Sequence, residues 1–202
     1  MTRKTSRPSR PKGNRSLKPR IIIICEGEET EPNYFEDFIS TERIRSAEVR
    51  IISGQCSPIA IVSRAIKEQS MLSGVHPEDS VWAVFDRDTH ADFNRAMALA
   101  SKNNINTIVS NPCFELWILL HYVSQFANIS SKQALEKAQK SIVTYKKNRT
   151  SLYSRTLRTR TNIAINRAEQ LDVVASNNGN IFDNPTTKVY KLVRFLFSHK
   201  GN

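Results

Sequence analysis

The sequence predicts an α/β fold, a Rossmann-like parallel sheet flanked by helices, with a helical C-terminal part and a disordered basic N-terminal arm. Three observations carry this. Between Ile21 and Ser110, short β-branched runs alternate with stretches of helical spacing, the pattern of strand–helix–strand units. The first run, Ile21 to Cys25, is apolar throughout, as expected of a strand buried on both faces. After Ser110 helical periodicity takes over.

Residues 1–20 hold Arg3, Lys4, Arg7, Arg10, Lys12, Arg15, Lys18 and Arg20, with Pro and Ser and no acid. Such a segment buries too little apolar surface to fold alone. It is expected to be a disordered arm that contacts phosphates or serves as a solubilising tail. Residues 21–197 then form the folded part, with the sheet core over 21–110 and the mainly helical part over 111–197.

Ile21–Cys25 is the first predicted strand. Thr30 with Glu31-Pro32 opens a helix, Pro being tolerated in a first turn, and Tyr34, Phe35, Phe38 and Ile39 form its apolar stripe. Residues 48–53 read as the second strand. Ser57-Pro58 starts a helix that buries Ile59, Val62, Ile66 and Met71 or Leu72. A turn around Gly74 and Pro77 leads to the third strand, "SVWAVFDRD". Asp92 is placed to cap a helix carrying Phe93, Ala96, Met97 and Ala100, and "INTIVS" is the fourth strand.

"NPCFELWILLHYVSQF" reads as an apolar helix with Asn111 as cap and Pro112 at its first position. Residues 131–145 and 160–176 are also helical in pattern. Between them lies "KKNRTSLYSRTLRTR", basic with Leu152 and Tyr153 interleaved. Ser176 to Asn184 is a polar loop, and "NPTTKVYKLVRFLF" repeats the Asn-Pro device before a last helix. Whether the helical part is a second domain or a layer on the sheet stays open at the level of sequence.

With 202 residues, 39% hydrophobic and 24% charged, one domain, or one domain with an appendage, is expected. No apolar run approaches the ~20 residues that span a bilayer, and the N-terminus lacks the apolar core of a secretory signal. No membrane association and a cytoplasmic location are therefore expected. Cys25, Cys56 and Cys113 are odd in number and far apart, which suits buried thiols rather than disulfides or a zinc module. The net charge of +11 points to a polyanionic partner. Nucleic acid is the commonest one, although an anionic membrane surface or an acidic protein also fits the charge.

Open parallel sheets bind ligands outside the C-terminal ends of their strands. Two predicted strands end there in acid: the first in Glu26, the third in Asp86 and Asp88. Adjacent strands would bring these carboxylates to one edge. Crowded carboxylates raise one another's pKa unless a cation neutralises them, and an all-oxygen set suits Mg²⁺, Mn²⁺ or Ca²⁺. Gly27 permits a tight turn directly after Glu26. Glu28, Glu29 and Glu31 are expected to serve chiefly the first turn of the following helix, whose N-terminal dipole favours acid.

A strand ending in Glu-Gly, with a later strand ending in Asp-x-Asp, resembles the Toprim fold of topoisomerases, primases and the overcoming-lysogenization-defect nucleases. "CEGEETEPNYF", "FDRDTH", "NPCFELWILLHY" and "NPTTKVYKLV" together resemble the RloB family, over Ile21 to about Phe197. That resemblance implies a prokaryotic protein associated with restriction loci and anti-phage abortive infection, often encoded beside an AAA- or ABC-type ATPase. It implies phosphodiester cleavage with Mg²⁺ or Mn²⁺, Glu26 as general acid/base or metal ligand, and Asp86 and Asp88 as the metal-binding pair. The third acid that often follows in the Toprim pattern is missing, its neighbourhood being Arg87 and Thr89-His90, which leaves the number of metals open.

Glu115, early in the helix after the fourth strand, is a further candidate ligand or a partner of that helix's N-terminus. His90 is a candidate for proton transfer or phosphate binding. His121 is expected to be structural, and Trp82 and Trp117 to be core. Arg87 is placed to steady transition-state charge, and Lys146, Lys147, Arg149, Arg155, Arg158 and Arg160 to hold flanking phosphates of DNA or RNA. The leading expectation is a metal-dependent nuclease. Its rival is a non-catalytic nucleic-acid- or nucleotide-binding subunit of a partner ATPase, docking through the aromatic last helix (Tyr190, Phe195, Phe197), although core packing is the expected role of those rings.

Overall fold

The structure, a computed structural model, describes residues 17–54, 57–72, 74, 76–87, 90–143 and 145–201. One five-stranded sheet contains β1 (Arg20–Cys25), β2 (Glu48–Ile52), β3 (Ser80–Asp86), β4 (Asn106–Asn111) and β5 (Thr186–Thr187). The order is β2-β1-β3-β4-β5, with β1 to β4 parallel and β5 antiparallel to β4. The helices are α1 (Thr30–Thr41), α2 (Pro58–Leu72), α3 (Phe93–Lys102), α4 (Glu115–Leu120), α5 (Ser131–Ser141), α6 (Thr161–Asn177) and α7 (Val189–Phe197).

The unbroken apolar run of β1 has a direct cause. Side chains alternate across a strand: Ile21, Ile23 and Cys25 enter one core with α1 and α4–α7, while Ile22 and Ile24 enter another with α2 and α3. Both faces are covered, so no position from Ile21 to Cys25 is left for a polar residue. At ~2 kcal/mol or more per buried isoleucine, this short segment is a main anchor of the fold. β2, at the sheet edge, is only half-buried.

The helical part is a layer on the sheet, since its residues share one continuous core with Ile21, Tyr34 and Val84. It also adds β5 to the sheet: Thr187 and Thr186 pair with Ser110 and Asn111, and the Ser110 and Thr187 hydroxyls meet at 2.8 Å.

Several expectations change in detail. β1 starts at Arg20, one residue inside the predicted arm, and residues 1–16 of that arm lie outside the described residues. Asp92 stands at the N-cap position of α3 but makes no side-chain cap there. Its carboxylate instead accepts the Ile59 N–H in the first turn of α2 at 3.2 Å, joining α3 to α2. In α2 the buried stripe is Ile61, Val62, Ala65, Glu68 and Leu72, while Met71 is exposed. Glu68 sits in it because Arg50 and Arg64 bind its carboxylate.

Neither Asn-Pro pair caps a helix. Asn111 ends β4, and its amide donates to the Phe182 carbonyl at 2.7 Å. Asn184 bonds both the N–H and the carbonyl of Ile129. The true helix starts follow at Glu115 and Val189. The expected polar loop begins late, because α6 runs to Asn177. Leu152 and Tyr153, interleaved in the basic stretch, are both buried, and Tyr153 opens a π-helical turn (Tyr153–Leu157).

Candidate metal-binding cleft

The parallel register places β1 beside β3, so the C-terminal ends of these two strands are neighbours. Glu26 follows β1 directly. Its N–H donates to the Val84 carbonyl at 3.1 Å, which extends the ladder by one residue. Its carboxylate reaches across to the next strand: Oε2 accepts the Asp86 N–H at 3.0 Å, and Oε1 lies 2.7 Å from His90 Nε2.

Two helices add acid to the same edge. Glu31, in the first turn of α1, is 6% exposed. A Cβ on Gly27 would overlap Glu31 Oε2, so the glycine leaves the space this carboxylate occupies. Glu115 opens α4 and is 5% exposed. Its Oε1 accepts from the Tyr145 hydroxyl at 3.4 Å and pairs with Lys147 Nζ at 3.2 Å. The Thr30 hydroxyl donates to the Lys147 carbonyl at 3.4 Å, tying this loop to α1.

The result is a cleft of about 450 Å³ lined by the carboxylates of Glu26, Glu28, Glu29, Glu31, Asp86 and Glu115, with Lys147 as the lining cation. Its electrostatics follow from crowding in a partly dry site. Burial, then the charges of Glu31, Glu115 and Glu26, push Asp86 well above the usual carboxylate range, against a hydrogen bond from the Phe114 amide. Burial raises Glu31 to about 7, helped by Glu115 and Glu26 and opposed by its own backbone amide and by Lys147. Burial works against the Lys147 ammonium, but Glu115 outweighs it and raises Lys147. An all-oxygen donor set whose members repel one another suits a hard divalent cation. Among the described residues no group of three His, Cys, Asp or Glu side chains forms a ready-made metal site. Asp88 lies outside the described residues.

The structure thus brings Glu26, Asp86, His90 and Glu115 to one edge. It does not bring Arg87 there: its guanidinium bonds the Phe182 carbonyl and lies 5.5 Å from the Phe93 ring centre. Of the expected phosphate contacts, Lys147 turns into the cleft, Arg158 pairs with Glu42 at 2.7 Å, and Arg160 stacks on Tyr122 at 4.5 Å. Lys146 and Arg155 are exposed, and Arg149 is partly buried.

His121 is fully buried, its Nδ1 on the Trp117 carbonyl at 3.0 Å, and burial lowers its pKa to about 4. Trp117 is core, whereas Trp82 is partly buried against Phe195. In α7, Tyr190 donates to Asp172 at 2.7 Å and Phe197 packs on Phe38. Cys25 and Cys113 are buried free thiols, and Cys56 lies outside the described residues.

Sequence reasoning missed Glu31 and Tyr145 as members of the site and the inward turn of Lys147. The available signal for Glu31 was its spacing from Gly27, one helical turn of room beside a residue without a side chain.

Fold and cleft together define an α/β protein with an acidic site at the C-terminal edge of a parallel sheet. The family model for RloB-like protein matches residues 21–196, and the chain belongs to that family. No curated protein and no solved structure is significantly similar to it.

Proposed function

We propose that this protein is a metal-dependent nuclease that hydrolyses nucleic-acid phosphodiesters at the acidic cleft. The observation that carries the reading is the convergence of Glu26, Asp86, Glu31 and Glu115 from two strand ends and two helix starts, with mutual repulsion that a cation would relieve. Asp86, Asp88, Glu26 and Glu115 would hold Mg²⁺ or Mn²⁺. When bound, such an ion polarises a phosphoryl oxygen and lowers the pKa of an attacking water.

The protein's own groups then have distinct tasks. Glu26 Oε2 is tied to the Asp86 amide, which orients the carboxylate. Its Oε1 and His90 Nε2 form a short pair across which a proton can be held or passed. Lys147 stands at the cleft as a donor to phosphate oxygens once Glu115 turns to a cation. We extend the reading to a cytoplasmic role in anti-phage or restriction-associated defence beside an AAA- or ABC-type ATPase, as the family resemblance implies.

Purified protein is expected to nick plasmid DNA or cleave tRNA in Mg²⁺ or Mn²⁺. Asp86→Asn should abolish cleavage while leaving the circular dichroism spectrum and melting temperature near wild type. No cleavage of either substrate, alone or with the neighbouring ATPase, would remove the reading. One observation favours the non-catalytic alternative: Lys147 already neutralises Glu115, as in a site that works without a metal. That alternative wins if protection against phage survives Glu26→Ala combined with Asp88→Ala.

A further inference from the structure

The segment after Lys146 runs alongside α1 from one end of the sheet to the other. At the cleft, the Thr30 hydroxyl in the first turn of α1 holds the Lys147 carbonyl. Midway, the Ser154 N–H and hydroxyl donate to Asp37 at 2.9 and 3.2 Å. At the far end Arg158 binds Glu42, the residue after α1. The segment therefore descends the flank of α1, over the ~18 Å that 12 helical residues span, with Lys147 held at the cleft end and Arg158 at the far end.

The track ends in a basic corner at the N-terminal edge of the sheet. Lys200 approaches Glu42 at 2.8 Å from the C-terminal segment, and Ile44 bridges to Lys200. Arg43, Arg45 and Lys18 are exposed there, with the Lys18 ammonium on the Arg45 carbonyl. The acids that lie along the path are occupied internally: Asp37 by Ser154, and Glu42 by Arg158, Lys200 and the Tyr153 hydroxyl. Glu28 and Glu29 at the cleft, and Glu36 and Glu48 farther along, are the exposed acids at its margin. The chain before Leu17, with Arg3, Lys4, Arg7, Arg10, Lys12 and Arg15, joins the fold at this corner.

We propose that the flank of α1 is a nucleic-acid track, which leads from the acidic cleft to a second, non-catalytic phosphate-binding corner formed by Lys18, Arg43 and Arg45. The proposal rests on the cleft acting on a phosphodiester. Exposed cations at the corner, one helix length from the cleft, suit a polymer of phosphates that reaches both rather than a flat anionic membrane. At 3.4 Å per step along one strand, the track covers about five nucleotide steps to one side of the cleft. The corner supplies affinity and register, not chemistry, because phosphate contacts position a nucleic acid without taking part at the reacting bond.

The test reads binding separately from cleavage. Full-length protein is titrated, in EDTA, against a fluorescein-labelled 30-mer DNA duplex and a single-stranded RNA of equal length, at several salt concentrations. Arg43→Glu with Arg45→Glu is expected to weaken binding at least ~10-fold and to flatten the log K against log salt slope by about two. Lys18→Glu, which touches no buried group, should weaken it in the same direction. Lys67→Glu with Lys102→Glu, on α2 and α3 across the sheet, should change affinity less than ~3-fold. Equal loss in both double variants, or no binding of either probe, overturns the track. So does loss of binding to phosphatidylserine vesicles with nucleic-acid binding intact. The nuclease reading stands or falls separately, on cleavage by the wild-type protein in Mg²⁺.

Discussion

Glu31 shows how one residue's environment changes its chemistry. Its ordinary pKa of 4.5 rises to about 7, with burial as the largest cause. Between these values the native state keeps a proton that the unfolded state has lost. Stability therefore falls as pH rises from about 4.5 to 7 and stays lower above that, by on the order of 3 kcal/mol. Glu31→Gln should remove this loss. In urea titrations, the variant's stability relative to wild type should increase from pH 5 to pH 8. An equal difference at both pH values would contradict the account. Comparing the two proteins cancels His121, whose depressed pKa acts oppositely, stabilising above about 6.5 and losing that stability as pH falls toward 4. Glu26 and Asp86 were legible in sequence because each directly ends a strand. Glu31 was not, because an acid in a first helical turn already has an adequate local explanation.

At the scale of elements, Glu42 acts as a joint. It is 4% exposed and lies just beyond α1, where Tyr153 donates to it at 3.0 Å and Arg158 and Lys200 pair with it. Three segments far apart in sequence meet on one carboxylate. Glu42→Ala leaves the buried Tyr153 hydroxyl without its acceptor and should cost about 1–3 kcal/mol in urea unfolding at pH 7. The exposed Glu48→Ala should stay within about 0.5 kcal/mol. The two Asn-Pro pairs belong to this scale as well. Local rules favour Asn as a helix cap, and both side chains instead bond backbone far along the chain, Asn111 to Phe182 and Asn184 to Ile129. Tertiary partners outweigh a local preference of about 1 kcal/mol.

At the scale of the whole molecule, the last segment closes the fold. Thr186 and Thr187 extend the sheet, and Val189, Leu192, Val193 and Leu196 complete the core that β1 begins. A chain ending at Asn180 would bare that apolar surface and the edge of β4. It should be insoluble, or bind a hydrophobic dye such as ANS with weakened near-ultraviolet circular dichroism, whereas the full chain should unfold in one cooperative transition.

The sequence by itself determined the parallel sheet, the order of its elements and the placing of acid at two strand ends. Periodicity and the abrupt end of an apolar run are local properties of a chain. Only the tertiary structure decided that β1 and β3 are neighbours, that the helical part is a layer sharing their core, and that Glu31, Glu115 and Lys147 face Glu26 and Asp86 across one cleft. These depend on which surfaces bury one another. Burial then changes the chemistry: the carboxylates of Glu31 and Asp86, ordinary in sequence, hold their protons far more tightly once folding removes their water and brings other charges near.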